Sequence, residues 1–321
     1  MGKRSATAMM RIAIAGAGGF ASLLVQELSR SAYAILVLST REHPEFEENY
    51  DCQVAVVDYT SLERLQFTLQ GIDLVISTIS GAEQLNLIDA ARRARVRCFV
   101  PSEFEGAISH RPAAGTDPFD NGSSTALAQL QHWSSSRQYP MKFTVFSCGI
   151  FYERFAPGGL QAYDMGLTCR IRNQGDYMVD VGQGTAEVPE TNPQGRPVQI
   201  TMTSAVDVAR FVAAAVELGI DEWPNEYRMR GTRMTAQRLH EICSEVRGVE
   251  FQVVTRPYDQ ILQWLRYYEQ VGDETRWHSM QHLLQTANGR YTFGDTNLNN
   301  DVPVQPTNFR QWLYETWGPA E

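Results

Sequence analysis

The sequence predicts an α/β fold in which a doubly wound parallel sheet is followed by a smaller, mixed α/β lobe. Three observations carry this. Short β-branched runs alternate with helix-period segments through the first half of the 321 residues, the pattern of βαβ units. The first such run passes directly into a glycine-rich turn and a helix. Beyond residue 149 the alternation gives way to strands and helices in mixed order, without repeats or a low-complexity linker.

The elements follow in order. Strands are expected at 11–15, 34–38, 53–58, 74–78, 97–100 and 143–147, with helices at 21–30, 61–69, 84–94 and 124–134. Right-handed crossovers place any ligand at the carboxyl ends of such strands. The acidic stretch 42–51 around Pro44 reads as a solvated excursion. Residues 104–122, rich in Gly, Pro and Asp, read as a long loop above the sheet, a kind usually functional or mobile. In the second half Ser204 and Asp207 form a capping box for a helix over 206–218, and Thr235 and Thr307 stand as N-caps. Strands are expected at 177–181, 198–202, 226–229 and 251–255, and aromatic-rich helices at 259–270 and 277–286. The chain thus divides into a loose tail (1–10), a nucleotide-type domain (11–149) and a substrate-binding lobe (150–321) packed on it, with a return of the chain to the sheet left open.

Composition narrows the partners. The hydrophobic share is 43% and the charged share 20%, ordinary for a globular protein. No run approaches the ~18 apolar residues that cross a bilayer, and Ala6 stands where a myristoylation signal needs Ser or Thr. Five scattered cysteines without CxxC spacing indicate neither zinc nor a disulfide framework, and so a cytoplasmic protein with reduced thiols. A net charge of −9 disfavours nucleic acid. The expected partner is a small molecule; homo-oligomerisation stays open.

Strand 11–15 leads into Gly16-Ala17-Gly18-Gly19-Phe20-Ala21-Ser22. Such a Rossmann-type turn lets backbone amides approach a pyrophosphate at the positive end of a helix. An NAD-binding chain places Asp or Glu at the end of the second strand to hold the ribose hydroxyls. This one has Ser39-Thr40-Arg41, a hydroxyl pair and a guanidinium suited to a 2′-phosphate. NADP(H) is the expected cofactor, and no metal is expected.

Further segments bear a resemblance. Val57-Asp58-Tyr59-Thr60, Gly71 through Thr78, Gln84 and Phe99-Val100-Pro101-Ser102-Glu103-Phe104 occur in the order found in the NmrA-like and isoflavone reductase-like family of atypical short-chain dehydrogenases. The glycine turn resembles that family's GxxGxxG, with Ser22 in place of the third glycine. Gly289 through Gly294 and Thr307 through Trp312 are similar to its C-terminal part. The resemblance implies NADP(H) held by Gly16, Gly19, Phe20 and Arg41. Ser77, Thr78, Pro101, Ser102, Glu103 and Phe104 would line the route to the nicotinamide. Gly18, Ala21, Thr40, Asp58, Ile79 and Gly149 complete the candidate set.

Reductases of the family usually carry a lysine early in the helix after the Pro-Ser-Glu-Phe loop. Residues 123–127 hold none, and the chain has only two lysines, Lys3 in the tail and Lys142 at the start of a strand. The candidate acid–base residues are therefore Glu103, Glu105 and Tyr152, with Glu153, Asp117 and Asp120 behind them. His132 lies ~500° around the helix from Leu127 and faces elsewhere. Reduction of an imine or iminium needs less acid catalysis than that of a carbonyl. Two readings follow. The first is an oxidoreductase of natural-product biosynthesis that moves hydride to or from an imine or enone of a bulky aromatic or alkaloid-like molecule, with ring formation or rearrangement as an accompanying step. The second is a non-catalytic NADP(H) sensor that signals through a protein partner. Trp264, Tyr267, Tyr268, Trp277 and Met280, as walls of an apolar pocket, favour the enzyme.

Overall fold

The computed structural model describes residues 9–318; residues 1–8, most of the expected tail, lie outside the described residues. The chain divides into two units. The sheet unit holds the chain up to Glu103 together with Phe119–Val145 and Val212–Asn225, and the second unit holds Phe104–Pro118, Phe146–Phe211 and the chain from Glu226 onward.

The sheet unit runs β1 (Arg11–Ala15), α1 (Gly19–Leu28), β2 (Ala34–Ser39), α2 (Pro44–Asn49), β3 (Gln53–Val56), α3 (Leu62–Thr68), β4 (Leu74–Ser77), α4 (Ala82–Arg93), β5 (Cys98–Val100), α5 (Ser123–Ser134) and β6 (Lys142–Phe143). Its strands pair in the order β3-β2-β1-β4-β5-β6, every pair parallel. Ile12 through Ala15 and Leu74 through Ser77 are buried without alternation, as strands covered by helices on both faces must be. The strand order reverses between β1 and β4, which opens a crevice at their carboxyl ends.

Two expectations for this region need correction. The stretch 42–51 is not a solvated excursion throughout, because it contains α2. Pro44 occupies the first turn and Glu45 and Glu47 face the positive end of the helix, both favourable placements, while Phe46 is 2% exposed and anchors the turn. The single strand expected over 143–147 is two. Lys142 and Phe143 pair with β5, whereas β7 (Val145–Ser147) joins a separate two-stranded sheet.

The rest of the chain forms β8 (Ile150–Phe151), β9 (Val179–Asp180), β10 (Thr185–Pro189), β11 (Gln199–Thr203), α6 (Ala205–Leu218), β12 (Glu226–Arg228), β13 (Thr232–Thr235), α7 (Ala236–Arg247), β14 (Gln252–Arg256), α8 (Tyr258–Val271), α9 (Glu274–Ala287), α10 (Leu298–Asp301) and α11 (Phe309–Trp317). The small sheets of the second unit are ordered β14-β10-β9 and β13-β11-β8. Ser204 Oγ accepts from Asp207 N at 3.0 Å, the first half of the expected box, but Asp207 spends its carboxylate on Thr307 N (2.8 Å) and Arg210 (3.1 Å). Thr235 caps α7 through Arg238 N. The cap of α11 is Asn308, not Thr307: Asn308 Oδ1 accepts from Gln311 N (2.9 Å).

Two buried groups of the second unit, Tyr152 and Glu153, tie its core together. Tyr152, 0% exposed, packs edge-on to Phe309 at 5.2 Å and donates its hydroxyl to Thr232 Oγ1 (2.9 Å) and Thr307 O (3.1 Å). Glu153 is 2% exposed and accepts Ala205 N on both carboxylate oxygens at 2.9 Å. Burial pushes its pKa up to about 7; the Ala205 amide opposes this and the Asp207 charge adds to it. The folded protein therefore keeps, between the ordinary value of 4.5 and about pH 7, a proton that the unfolded chain has released. Stability falls as pH rises across that window, by roughly 3 kcal/mol. Glu153→Gln is expected to lose this slope, so its urea midpoint should gain on the parent between pH 5 and pH 8. Parallel pH profiles for the two proteins would contradict the buried-proton account.

Candidate nucleotide-binding site

The carboxyl edge of the sheet unit is built around the turn after β1. Gly16 has φ +105°, and a Cβ there would stand 2.3 Å from Thr78 Oγ1, so only glycine lets this turn pass the end of β4. The Gly16 amide donates to Leu38 O (2.9 Å). Thr78 donates both its amide and its hydroxyl to Ala15 O, each at 2.8 Å. The turn is thus tied to both neighbouring strands. Gly18 is the N-cap of α1 and supplies no side-chain cap; the first turn holds no acidic residue. Gly19, Phe20 and Ala21 form that turn, at the positive end of the helix, where an anion is favoured.

At the end of β2, Tyr59 is 5% exposed and donates its hydroxyl to Leu38 O (2.9 Å). Ser39 Oγ accepts from Arg41 N (3.3 Å), and Thr40 and Arg41 are exposed. Arg41 Nε donates to His43 Nε2 (3.3 Å), and His43 Nδ1 lies 2.6 Å from Glu45 Oε1. Asp58 turns back on Thr60, accepting its amide (2.8 Å) and hydroxyl (2.6 Å). Those two bonds hold its carboxyl below the usual range and mark it as a turn former.

Beyond β4, Ser77 Oγ donates to Ile79 O (3.1 Å), and Gly81 N donates to Asn121 O (3.0 Å). The loop after β4 and the start of α5 therefore share this edge. After β5, Ser102 N donates to Oε1 of the buried Gln84 (2.7 Å), and Glu103 N donates to Pro101 O (2.8 Å). The Glu103 carboxyl group is buried. Lys142 opens β6 at the opposite, amino edge and donates to Asp221 O. His132 is exposed beside Trp133.

The sheet unit thus gathers Gly16, Gly18, Gly19, Phe20, Ala21, Thr40, Arg41, Asp58, Ser77, Thr78, Ile79, Pro101, Ser102 and Glu103. Phe104, Glu105, Gly149 and Tyr152 belong to the second unit. There Phe104 stacks on Phe146 (6.4 Å). Glu105 accepts Arg290 Nη2 on both carboxylate oxygens at 3.0 Å and pairs with Arg111 Nε at 3.2 Å. Arg290 Nη1 also reaches Asp117 Oδ2 (2.7 Å). Gly149 has φ +74°, and a Cβ there would lie 2.0 Å from Thr201 O. The environments of Glu105, Gly149 and Tyr152 are those of an ion-pair hub, a close backbone crossing and a packed core.

The second unit carries a partly open cavity of about 360 Å³ whose walls include Asp176, Tyr177, Asp180, Glu187, Arg276 and His282. Burial lowers the His282 pKa to about 3, assisted by the Arg154 and Arg290 charges, so this imidazole is neutral. The expected apolar wall is not what lines this cavity. Trp264 stacks on Tyr268 (5.4 Å), Tyr267 is half exposed, and Met280 lies in the core. Among the described residues no group of His, Cys, Asp or Glu is arranged to hold a metal ion, and no helix is long and apolar enough to cross a membrane.

Sequence reasoning passed over His43 and Arg290. His43 had a signal, since it lies two residues beyond Arg41 and directly before a proline. Arg290 had none beyond its place in a family-like segment, because its partners Glu105 and Asp117 are 185 and 173 residues away.

A family model described as the NmrA-like family matches residues 9–317. The chain is similar to the oxidoreductase swnN of Metarhizium robertsii, 23% identical over 289 residues covering 79% of this chain and 77% of the relative. Among solved structures it resembles the leucoanthocyanidin reductase–NADPH binary complex from Vitis vinifera, with TM-score 0.68, 14% identity, and coverage of 95% of this chain and 98% of the other. It also resembles the triphenylmethane reductase of Citrobacter sp. complexed with NADP(H), with TM-score 0.66, 16% identity, and coverage of 96% and 100%. At these identities the structural likeness establishes the fold.

Proposed function

Because the chain belongs to the NmrA-like family, we propose that it is an NADP(H)-dependent oxidoreductase acting on a bulky aromatic or alkaloid-like small molecule. The observation that carries the reading is the end of β2. Where a carboxylate would select the ribose hydroxyls of NAD, Ser39, Thr40 and Arg41 stand beside an uncapped helix with no acid in its first turn. Two negatively charged groups, a pyrophosphate and a 2′-phosphate, fit that arrangement. The similarity to an oxidoreductase and to two reductases in complex with NADPH or NADP(H) supports the same cofactor and chemistry.

NADPH, when bound, supplies a hydride. The chain's own contribution is to fix the turn after β1 and to bind the phosphates. No lysine stands in the first turns of α5, where Ser123, Ser124 and Thr125 are found. A substrate that accepts hydride without prior protonation suits such a site. An iminium ion does so, since hydride adds to carbon and the nitrogen recovers its lone pair, with no proton transferred. An enone requires a proton as well, which makes it the slower substrate.

The test is a calorimetric titration with NADPH and NADH on the parent and on Arg41→Ala. NADPH is expected to bind in the micromolar range, with NADH at least tenfold weaker. Loss of charge-assisted bonds of about 1.5–3 kcal/mol should weaken NADPH about 10- to 150-fold in the variant and leave NADH unchanged. No binding of either nucleotide would end the reading. Tight NADPH binding with no oxidation against a panel of cyclic iminium ions and aryl enones would point instead to a sensor.

A further inference from the structure

We propose that His43 is a positioning residue that sets the preference for a 2′-phosphorylated dinucleotide by holding the Arg41 guanidinium in place, an inference that rests on the cofactor reading above. The hydrogen bonds assign the ring's state. Arg41 Nε can only donate, so His43 Nε2, at 3.3 Å, must accept. The ring proton then resides on Nδ1, where Glu45 Oε1 accepts it at 2.6 Å. The imidazole is therefore neutral and oriented, with its acceptor nitrogen presented to Arg41.

The ring is fixed from its other side as well. His43 is 8% exposed, and Phe46, 2% exposed, meets it edge-on at 5.8 Å. Phe46 is itself held in the first turn of α2, behind Pro44. Among the described residues this buried ring makes its hydrogen bonds with the exposed Arg41 and Glu45.

The consequence lies in what Arg41 has left. An exposed arginine carries considerable rotamer freedom that must be surrendered when it grips an anion. Tying back Nε removes part of that freedom beforehand. Among the described residues no hydrogen bond uses Arg41 Nη1 or Nη2. The pair of terminal nitrogens is thus presented for a bidentate contact with a phosphate. A dinucleotide without the 2′-phosphate has nothing to gain from this, so the effect falls on selectivity.

The test compares His43→Leu, His43→Asn and His43→Gln for NADPH and NADH affinity. Glutamine places an acceptor oxygen about where Nε2 stands, whereas asparagine is too short and leucine has none. The expected result is about five- to tenfold weaker NADPH binding in the Leu and Asn variants, with NADH unchanged, and a Gln variant within twofold of the parent. In an Arg41→Ala background, His43→Leu should have no further effect, the signature of a residue that acts through another. If the Leu variant fails to fold, the Asn and Gln pair carries the comparison.

Parent-like NADPH affinity in the Leu and Asn variants would overturn the proposal. So would equal losses in Asn and Gln, which would mean that the ring only fills space, or a parallel loss of NADH, which would mean a disturbed turn. Failure of the parent to bind NADPH would remove the cofactor reading itself. An Arg41-dependent preference that is indifferent to His43 would remove this inference alone.

Discussion

Arg290→Ala is expected to destabilise the protein by about 3–5 kcal/mol, the cost of removing one partner from a buried ion-pair cluster. The guanidinium is 8% exposed and meets Glu105 in bidentate fashion at 3.0 Å and Asp117 at 2.7 Å. Burial is the largest single influence and works against its charge, but Glu105, Tyr291 and Asp117 together more than offset it, and its pKa rises above the ordinary arginine value. Truncation would remove the cation that Glu105 and Asp117 share, leaving Glu105 paired with Arg111 and Asp117 bonded to Gln285, with 26% and 11% of their side chains exposed. The same residue organises the loop between β5 and α5. Gly106 packs so closely on Arg290 O that a Cβ would fall 1.9 Å from it, and Gln285, a further partner of Arg290, donates to Asp117 (2.9 Å). Urea titration of the variant should show the loss directly. Proteolysis within 104–118 should accelerate by a similar factor, because the segment loses its anchor. An unfolding free energy within about 1 kcal/mol of the parent would mean that the cluster behaves like a solvated surface network.

Where the sequence was legible, local pattern and tertiary environment agreed. β1, β2 and β4 are apolar runs, and a parallel sheet covered by helices demands such runs. The turn at Gly16 and the guanidinium at Arg41 were legible because each is a residue type with few alternative uses at that spacing. α2 was hidden because acidic residues read as solvation, and the feature that makes them helical, a proline at the start with glutamates in the first turn, is the same composition seen differently. β10 was hidden for another reason. Thr185–Pro189 has little strand character of its own and becomes a strand through β14 on one side and β9 on the other. The split between β6 and β7 depends on partners that occur only in three dimensions, since Thr144 donates its amide to Phe99 O (3.1 Å) and Val145 donates to Asn225 O (2.9 Å).

The site follows the same division. Its binding elements sit on one contiguous stretch of strand and turn, so their spacing could be read. The orientation of Arg41 could not, because it depends on a histidine rotamer fixed by Phe46. The acid–base candidates proved hardest to place. A glutamate on a loop is chemically the same letter whether it faces a ligand or, like Glu105, an arginine far along the chain.

Gly149→Ala separates two roles that the sequence left together. Gly149 stands in the sequence among the cofactor-binding candidates, and for a residue in that role alanine would weaken nucleotide binding while leaving the fold intact. The structure gives it different neighbours. Gly149 is buried at φ +74°, and the nearest atoms to an added Cβ are the carbonyl oxygen and carbon of Thr201, at 2.0 and 2.5 Å. These are backbone atoms of β11, and Thr201 is 0% exposed with its hydroxyl donating to Phe293 O (3.1 Å). Neither a rotamer change nor a side-chain shift can relieve such a contact. The left-handed backbone costs a further ~1–2 kcal/mol for any residue with a Cβ. Overpacking in a core of this kind adds roughly 1–3 kcal/mol, so the total loss should reach about 2–5 kcal/mol. The measurement is paired, a urea midpoint and an NADPH titration under conditions where the variant remains folded. A large stability loss with nucleotide affinity within about twofold of the parent would assign Gly149 to packing between β8 and β11. Unchanged stability with affinity lost would return it to the cofactor site and require the β11 backbone to stand further off.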